Sequence, residues 1–259
     1  MAVIDVIAGR EGSATEQIFL GVRFDLITQK DVVDKLCESV AMNPFRYIVT
    51  PNVDYVVRMH ADRELRDCVA AAWLTVCDSR PIAGLARLLF LRLPLVTGSD
   101  LTAELFRSAI NDGDSVTLVA PNHEVVERLR KEYPRIRFSV VVPPMDVRNN
   151  AAALQECVDF VVRARSRFVF LAIGSPQSDI LAYRLARHPS AVGIGLNVGA
   201  SLEFLAGTKK RAPKIMRQFG LEWMHRLLCD PRRLWKRYCY SVLPLLKLFS
   251  HEVRLSLHL

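Results

Sequence analysis

The chain has 259 residues, 51% of them hydrophobic, a composition unlike that of a disordered chain and one that leaves room for a sizeable core of one or two α/β units. The net charge of +8 and a pI of about 9.4 call for an anionic partner: a nucleic acid, a membrane surface or a phosphorylated substrate. No run of about 18 apolar residues occurs, and residues 1–12 carry Asp5, Arg10 and Glu11, so neither a spanning helix nor a signal peptide is expected.

Strands and helices alternate along the chain. Residues 18–24 (IFLGVRF) read as a strand, and a helical run over 32–40 comes after Thr28 and Asp31. Residues 46–50 (RYIVT) form a β-rich run ending at Pro51, with Asn52 or Asp54 able to cap the next helix. Residues 73–77 (WLTVC) make another short apolar strand with Asp78 immediately after it, and 81–91 suggest a helix. In the second half, strands are expected over 115–120, 136–142, 167–173 and 191–195, and helices over 124–132, 151–165 and 179–187. Residues 167–173 (RFVFLAI) are apolar enough to require cover on both faces, the mark of a central parallel strand. This alternation predicts an α/β fold with a parallel, Rossmann-like sheet, whose ligands bind beyond the carboxyl ends of the strands.

Composition shifts near Gly207. From Lys209 to Arg237 ten basic residues face only Glu222 and Asp230, so the excess charge of the whole chain is concentrated there. Trp223, Trp235, Tyr238 and Tyr240 are interleaved, and the apolar stretch 242–249 is interrupted by Pro244 and Lys247. Two domains are therefore expected: an α/β core over 1–207 and a basic, aromatic-rich helical appendage over 208–259. The appendage suits an interfacial helix on an anionic membrane, or a helix pair docked on the core with a solvated basic face. Nucleic-acid binding has no accompanying helix-turn-helix, zinc or RNA-binding signature. Cys37, Cys68, Cys77, Cys157, Cys229 and Cys239 form no Cys-x-x-Cys pair and read as reduced, packed thiols.

Several segments sit where chemistry is expected. Asp78 is placed either to act as a general base on a sugar hydroxyl or to cap the next helix. Thr50-Pro51-Asn52 offers a hydroxyl and an amide to a sugar or phosphate, or simply initiates a helix. Gly174-Ser175-Pro176-Gln177-Ser178-Asp179 is a Gly turn leading to a helix N-terminus, suited to a diphosphate, but it is neither a P-loop nor a Gly-x-Gly-x-x-Gly. Asp112-Gly113-Asp114 looks like a metal-holding Asp-x-Asp, yet it lies at the other end of the sheet and reads as a turn. The six histidines are scattered without metal spacing, so no metal is expected.

Together these segments resemble the WecG/TagA/CpsF glycosyltransferase family (glycosyltransferase family 26), with an exopolysaccharide-type member in view. The resemblance runs from about residue 18 to 238. It rests on Thr50-Pro51-Asn52, the strand ending in Asp78, Val96-Thr97-Gly98-Ser99-Asp100-Leu101 and Phe170 to Asp179. Its most specific part is the ordered string Val198-Gly199-Ala200, Phe204-Leu205-Ala206-Gly207, Lys210-Arg211-Ala212-Pro213, Gly220-Leu221-Glu222-Trp223, Arg226-Leu227 and Pro231-Arg232-Arg233. The resemblance implies an inverting, metal-independent transferase with no cofactor beyond its UDP-sugar donor. The implied acceptor is a sugar on a polyprenyl diphosphate at the cytoplasmic face of the inner membrane, where the protein would be peripheral. It implies Asp78 as base and Thr50 and Asn52 as substrate contacts. Gly98, Ser99, Asp100, Gly174, Gln177, Ser178, Asp179, Gly199 and Glu203 complete the implied substrate set. Arg211, Arg226 and Arg233 match arginines of an appendage that closes the site and offsets diphosphate charge. Two departures stand out: Asp78-Ser79 replaces the usual Asp-Gly, and Pro176-Gln177-Ser178-Asp179 replaces Pro-Lys-Gln-Glu. They widen the expected donors beyond N-acetylmannosamine, glucose included. A homo-oligomer is compatible with this reading. A nonenzymatic membrane adaptor with a nucleotide-binding core is the rival from another class, and a basic RNA-binding protein a second.

Overall fold

The computed structural model describes residues 15–39, 43–213, 216, 222–229 and 231–257. Its centre is a six-stranded, all-parallel sheet. In chain order the strands are β3 (Arg46–Val49), β4 (Leu74–Thr75), β5 (Ser115–Val119), β6 (Arg137–Val141), β7 (Phe168–Leu171) and β8 (Ile194–Asn197). In space they run β4-β3-β8-β7-β5-β6. All four residues of β7 are buried, as its unbroken apolar run requires of a strand covered on both faces.

Alternating side chains feed two cores, one per face. Tyr47, Val49, Val169 and Leu171 join the first, with α2 (Val53–Ala61), α3 (Arg63–Ala70), α4 (Arg80–Leu88), α7 (Ala151–Ala164) and α8 (Gln177–Ala186). Ile48, Leu118, Phe168, Phe170 and Leu196 join the second, with α1 (Gln29–Glu38), α5 (Gly98–Ser108), α6 (His123–Glu132) and α9 (Ser201–Leu205). Polar caps start the helices: Thr28 and Asp31 form a reciprocal capping box at α1, and Asn122 and Asn150 cap α6 and α7.

The expected single strand over 18–24 is two strands. β1 (Glu16–Phe19) and β2 (Val22–Asp25) pair antiparallel around Leu20 and Gly21, both at positive φ, 52° and 69°. Two successive left-handed residues close a two-residue hairpin whose twist matches its strands. A Cβ at Gly21 would meet the His60 ring at 2.9 Å, and its φ of 69° also disfavours any residue with a side chain. The hairpin lays Phe19, Leu20, Val22 and Phe24 on the first core, and the Asp25 carboxylate accepts from the Thr75 amide at 2.7 Å.

Among the described residues the C-terminal part holds α10 (Glu222–Cys229) and α11 (Pro231–Leu257). Pro244 removes one N–H from the helix ladder, yet α11 runs through it. The reason lies in the stripe Ser241, Leu245, Leu248 and Phe249, which packs on the first core beside α2. Ser241 Oγ lies 3.4 Å from Asp54 Oδ1, and Glu252 accepts hydrogen bonds from the backbone of Leu20 and Gly21. Through this stripe α11 packs on the same core as β3 and β7.

Candidate active site

The connections out of β3 and β8, which are neighbours in the sheet, leave on opposite faces: β3 leads to α2 and β8 to α9. That divergence opens a crevice at the carboxyl edge, where open α/β sheets bind ligands. Thr50 and Asn197, at the ends of these adjacent strands, form its floor. Thr50 is buried and its hydroxyl donates to the Asn197 carbonyl at 3.1 Å. Asn52 caps α2, its side-chain oxygen accepting from the Tyr55 amide at 3.2 Å, and this cap uses only the oxygen of the carboxamide.

Asp78 stands at the rim beside them. Its amide donates to the Pro51 carbonyl at 3.1 Å, and its Oδ2 accepts from the Gly98 amide at 3.3 Å. The side chain is thus held between the β3–α2 turn and the first turn of α5. The cap of α4 is Ser79, whose hydroxyl accepts from the Ile82 amide at 3.3 Å, and not Asp78. Ser79 is buried in that role, which gives the Asp-Ser pair a structural account.

Gly98 brings α5 against the crevice. A Cβ there would lie 3.3 Å from Ser201 Oγ, 3.4 Å from Thr50 Oγ1 and 3.5 Å from the Val198 Cα. Ser99 Oγ is 3.4 Å from Ser201 Oγ, and Ser201 Oγ donates to the Val198 carbonyl at 2.6 Å. Thr97 caps α5 and donates to Asp100 Oδ2 at 2.7 Å. Asp100 Oδ1 also pairs with Arg211 at 2.8 Å, which brings the first arginine of the basic segment to the rim. Glu203 pairs with Lys209 at 2.8 Å, so its carboxylate is engaged by the same segment. Gly174 and Gly199 close β7 and β8 at positive φ, 81° and 53°, with open space where a side chain would stand.

The turn after β7 divides. Gln177 is half-buried, whereas Ser178 and Asp179 point inward. The Ser178 hydroxyl donates to the Leu171 carbonyl at 3.1 Å. Asp179 is fully buried; its Oδ1 accepts from Tyr55 Oη and from Asn197 Nδ2, both at 2.7 Å. Burial raises its carboxyl above the usual range, and those two hydrogen bonds oppose the rise only in part. Asp179 thus sits under the crevice floor and fixes Asn197 from below. Arg58 Nη1 donates to the Ser175 carbonyl at 2.7 Å, tying the same turn to α2.

Arg226 lies on α10 and Arg233 on α11, and their side chains fall outside the described residues. The Asp112-Gly113-Asp114 segment is a turn at the amino edge: Asp114 accepts from the Asn111 amide at 2.9 Å, and Asp112 pairs with Arg135 at 2.8 Å. Among the described residues no three His, Cys, Asp or Glu side chains gather as a metal site would require. Cys68, Cys77 and Cys157 are buried free thiols, and burial pushes Cys77 up to about 12. Sequence reasoning missed Asn197 and Ser201. A polar residue closing the apolar run IGLN was the available signal for Asn197; for Ser201 there was none.

The structure is thus an open, all-parallel α/β sheet with Asp78 and Asp100 at the crevice on its carboxyl edge. The model of the WecG/TagA/CpsF glycosyltransferase family matches residues 17–257, and the chain belongs to that family. It is therefore a glycosyltransferase of cell-surface polysaccharide synthesis. Among the described residues no helix is long and apolar enough to cross a membrane.

Proposed function

We propose that this enzyme moves a hexose or N-acetylhexosamine from a UDP-sugar to a sugar carried on a polyprenyl diphosphate, with inversion and without a metal. It does so while bound peripherally at the cytoplasmic face of the inner membrane. The observation that carries this reading is the placement of Asp78 at the β3/β8 crevice, with the neighbouring helix cap supplied by Ser79.

In this mechanism Asp78 takes the proton from the acceptor hydroxyl, the oxygen attacks the anomeric carbon, and the bond to UDP breaks from the opposite side. The donor crosses the carboxyl edge near Gly98, Gly174 and Gly199. Arg211, with Arg226 and Arg233, offsets the charge that builds on the leaving diphosphate. Arg211 already stands at the first turn of α5, next to the residue whose amide Asp78 accepts, which favours a diphosphate path along this rim. A bilayer-bound acceptor agrees with the outer side of α11. There Tyr240, Leu243 and Leu246 are 77%, 67% and 51% exposed, opposite the stripe that packs on the core. An apolar helix face beside a basic run suits the membrane interface.

The test is acceptor-dependent UDP release from a panel of UDP-sugars and polyprenyl-diphosphate-linked acceptors, with and without EDTA. Release that needs the acceptor and survives EDTA is expected. Release abolished by EDTA would reject the metal-free mechanism, and tight UDP binding without turnover across the panel would favour an adaptor.

A further inference from the structure

Helix α4 is amphipathic in a way the core does not use fully. Ile82 and Ala86 are completely buried, at helical spacing on the inner face. Leu88 lies about 200° around the helix from Ala86 at 100° per residue, away from that face, and is 67% exposed. Phe90 comes next with 96% exposure.

The backbone makes Phe90 more unusual still. The Phe90 amide donates to the Arg87 carbonyl at 3.1 Å and the Leu91 amide to the Ala86 carbonyl at 3.0 Å. This paired pattern ends a helix with one left-handed residue, a position where glycine is the usual occupant. Here the position is Phe90, at φ 60°. The fold thus places a bulky aromatic where backbone sterics favour glycine, and its ring buries almost nothing. Packing does not account for that choice.

The segment that carries the turn has one sign of charge. Between Ser79 and Ser99 the chain has Arg80, Arg87 and Arg92 and no acidic residue. Arg87 and Arg92 are exposed and flank an open groove of about 730 Å³ whose apolar walls include Phe90, Leu93 and Pro94. Large exposed apolar side chains flanked by two arginines suit the boundary between anionic headgroups and acyl chains.

We propose that the turn ending α4 is a second membrane contact, borne by the catalytic core itself: Leu88 and Phe90 enter an anionic bilayer while Arg87 and Arg92 meet lipid phosphates. The choice of a bilayer as partner rests on the membrane-bound acceptor proposed above; the surface is separate from α11.

The experiment uses the full chain and vesicles of phosphatidylcholine with and without phosphatidylglycerol, read by co-sedimentation. Variants Leu88→Ser/Phe90→Ser and Arg87→Gln/Arg92→Gln are compared with Leu243→Ser/Leu246→Ser on α11. The first pair is expected to weaken binding by about tenfold or more. The arginine pair should weaken it only on vesicles containing phosphatidylglycerol, with a smaller salt effect than wild type. Phe90→Gly supplies a readout that a merely structural role would reverse: its melting temperature should rise by about 2–4 °C while vesicle binding falls. Binding lost only in the α11 variant would overturn this inference and leave the proposed function standing. A wild-type chain that binds neither vesicle would overturn this inference and the peripheral membrane binding proposed above. Sedimentation velocity showing a wild-type dimer that Phe90→Ser dissociates would assign the turn to self-association instead.

Discussion

Replacing Asp78 by Asn tests the base assignment with little disturbance to the fold. Asparagine keeps an oxygen for the Gly98 amide, which Asp78 accepts at 3.3 Å, and leaves the backbone bond to Pro51 untouched. It removes the capacity to take a proton. A positioned general base contributes about 10²–10⁴ in rate, or roughly 3–5.5 kcal/mol of barrier. Asp78→Asn is therefore expected to lower kcat by that factor, with the donor KM and the melting temperature close to wild type. Ser79→Ala is the companion variant. It deletes the cap of α4, costing about 1 kcal/mol and lowering the melting temperature by about 2–4 °C. Its activity per folded molecule should stay near wild type. The assay is UDP release at saturating acceptor, normalised to folded protein by calorimetry. Asp78→Asn activity within twofold of wild type would refute the assignment. So would a stability loss like that of Ser79→Ala accompanied by no kinetic change.

Three further outcomes are expected. Gly98→Ala sets a methyl 3.3 Å from Ser201 Oγ and 3.4 Å from Thr50 Oγ1, so it should fold and yet lose about tenfold or more in kcat/KM; wild-type kinetics would show that the crevice tolerates displacement. Arg211→Gln breaks the 2.8 Å pair with Asp100 and should cut kcat/KM by about tenfold while barely moving the melting temperature, and a large stability loss with intact turnover would make the pair structural only. Burial holds the Asp179 carboxyl above its ordinary value of 3.8, so the folded state binds that proton more tightly than the unfolded chain. Its stabilising contribution is intact below 3.8 and is lost as pH rises through the folded value. Asp179→Asn retains an oxygen for Tyr55 and Asn197, and its melting temperature should gain on wild type from acidic to neutral pH; the reverse trend would contradict the direction of the shift.

The parallel sheet was legible because its strands are short apolar runs with no alternation, and because polar caps mark where most helices start. The hairpin was hidden: Phe19, Leu20, Val22 and Phe24 read as one continuous strand, and only the Leu20-Gly21 turn reverses the chain. Helix α5 escaped notice because it begins at Gly98, a residue that argues against a helix locally and is there to permit close approach. Pro244 suggested a break in α11, but long-range packing of Leu245 and its neighbours outweighs one missing hydrogen bond. At the site, Asp78 and Thr50 were visible from their places after strands. The inward turn of Ser178 and Asp179 was not, since a helix N-terminus looks the same in sequence whether its side chains face a ligand or the core.

The sheet order carries a consequence for how the molecule is made. β8 is the only strand joining the β4-β3 pair to the β7-β5-β6 trio, and it is the last of the six in the chain. Each half can pair early from nearby segments, but the seam between them needs Ile48 to find Leu196. Long-range parallel pairing of this kind is slow, because a large loop must close before any contact rewards it. The Thr50–Asn197 hydrogen bond spans 147 residues across that seam. The crevice is thus completed late in synthesis, and a chain released before β8 would hold Asp78 and Thr50 with no opposite wall to work against.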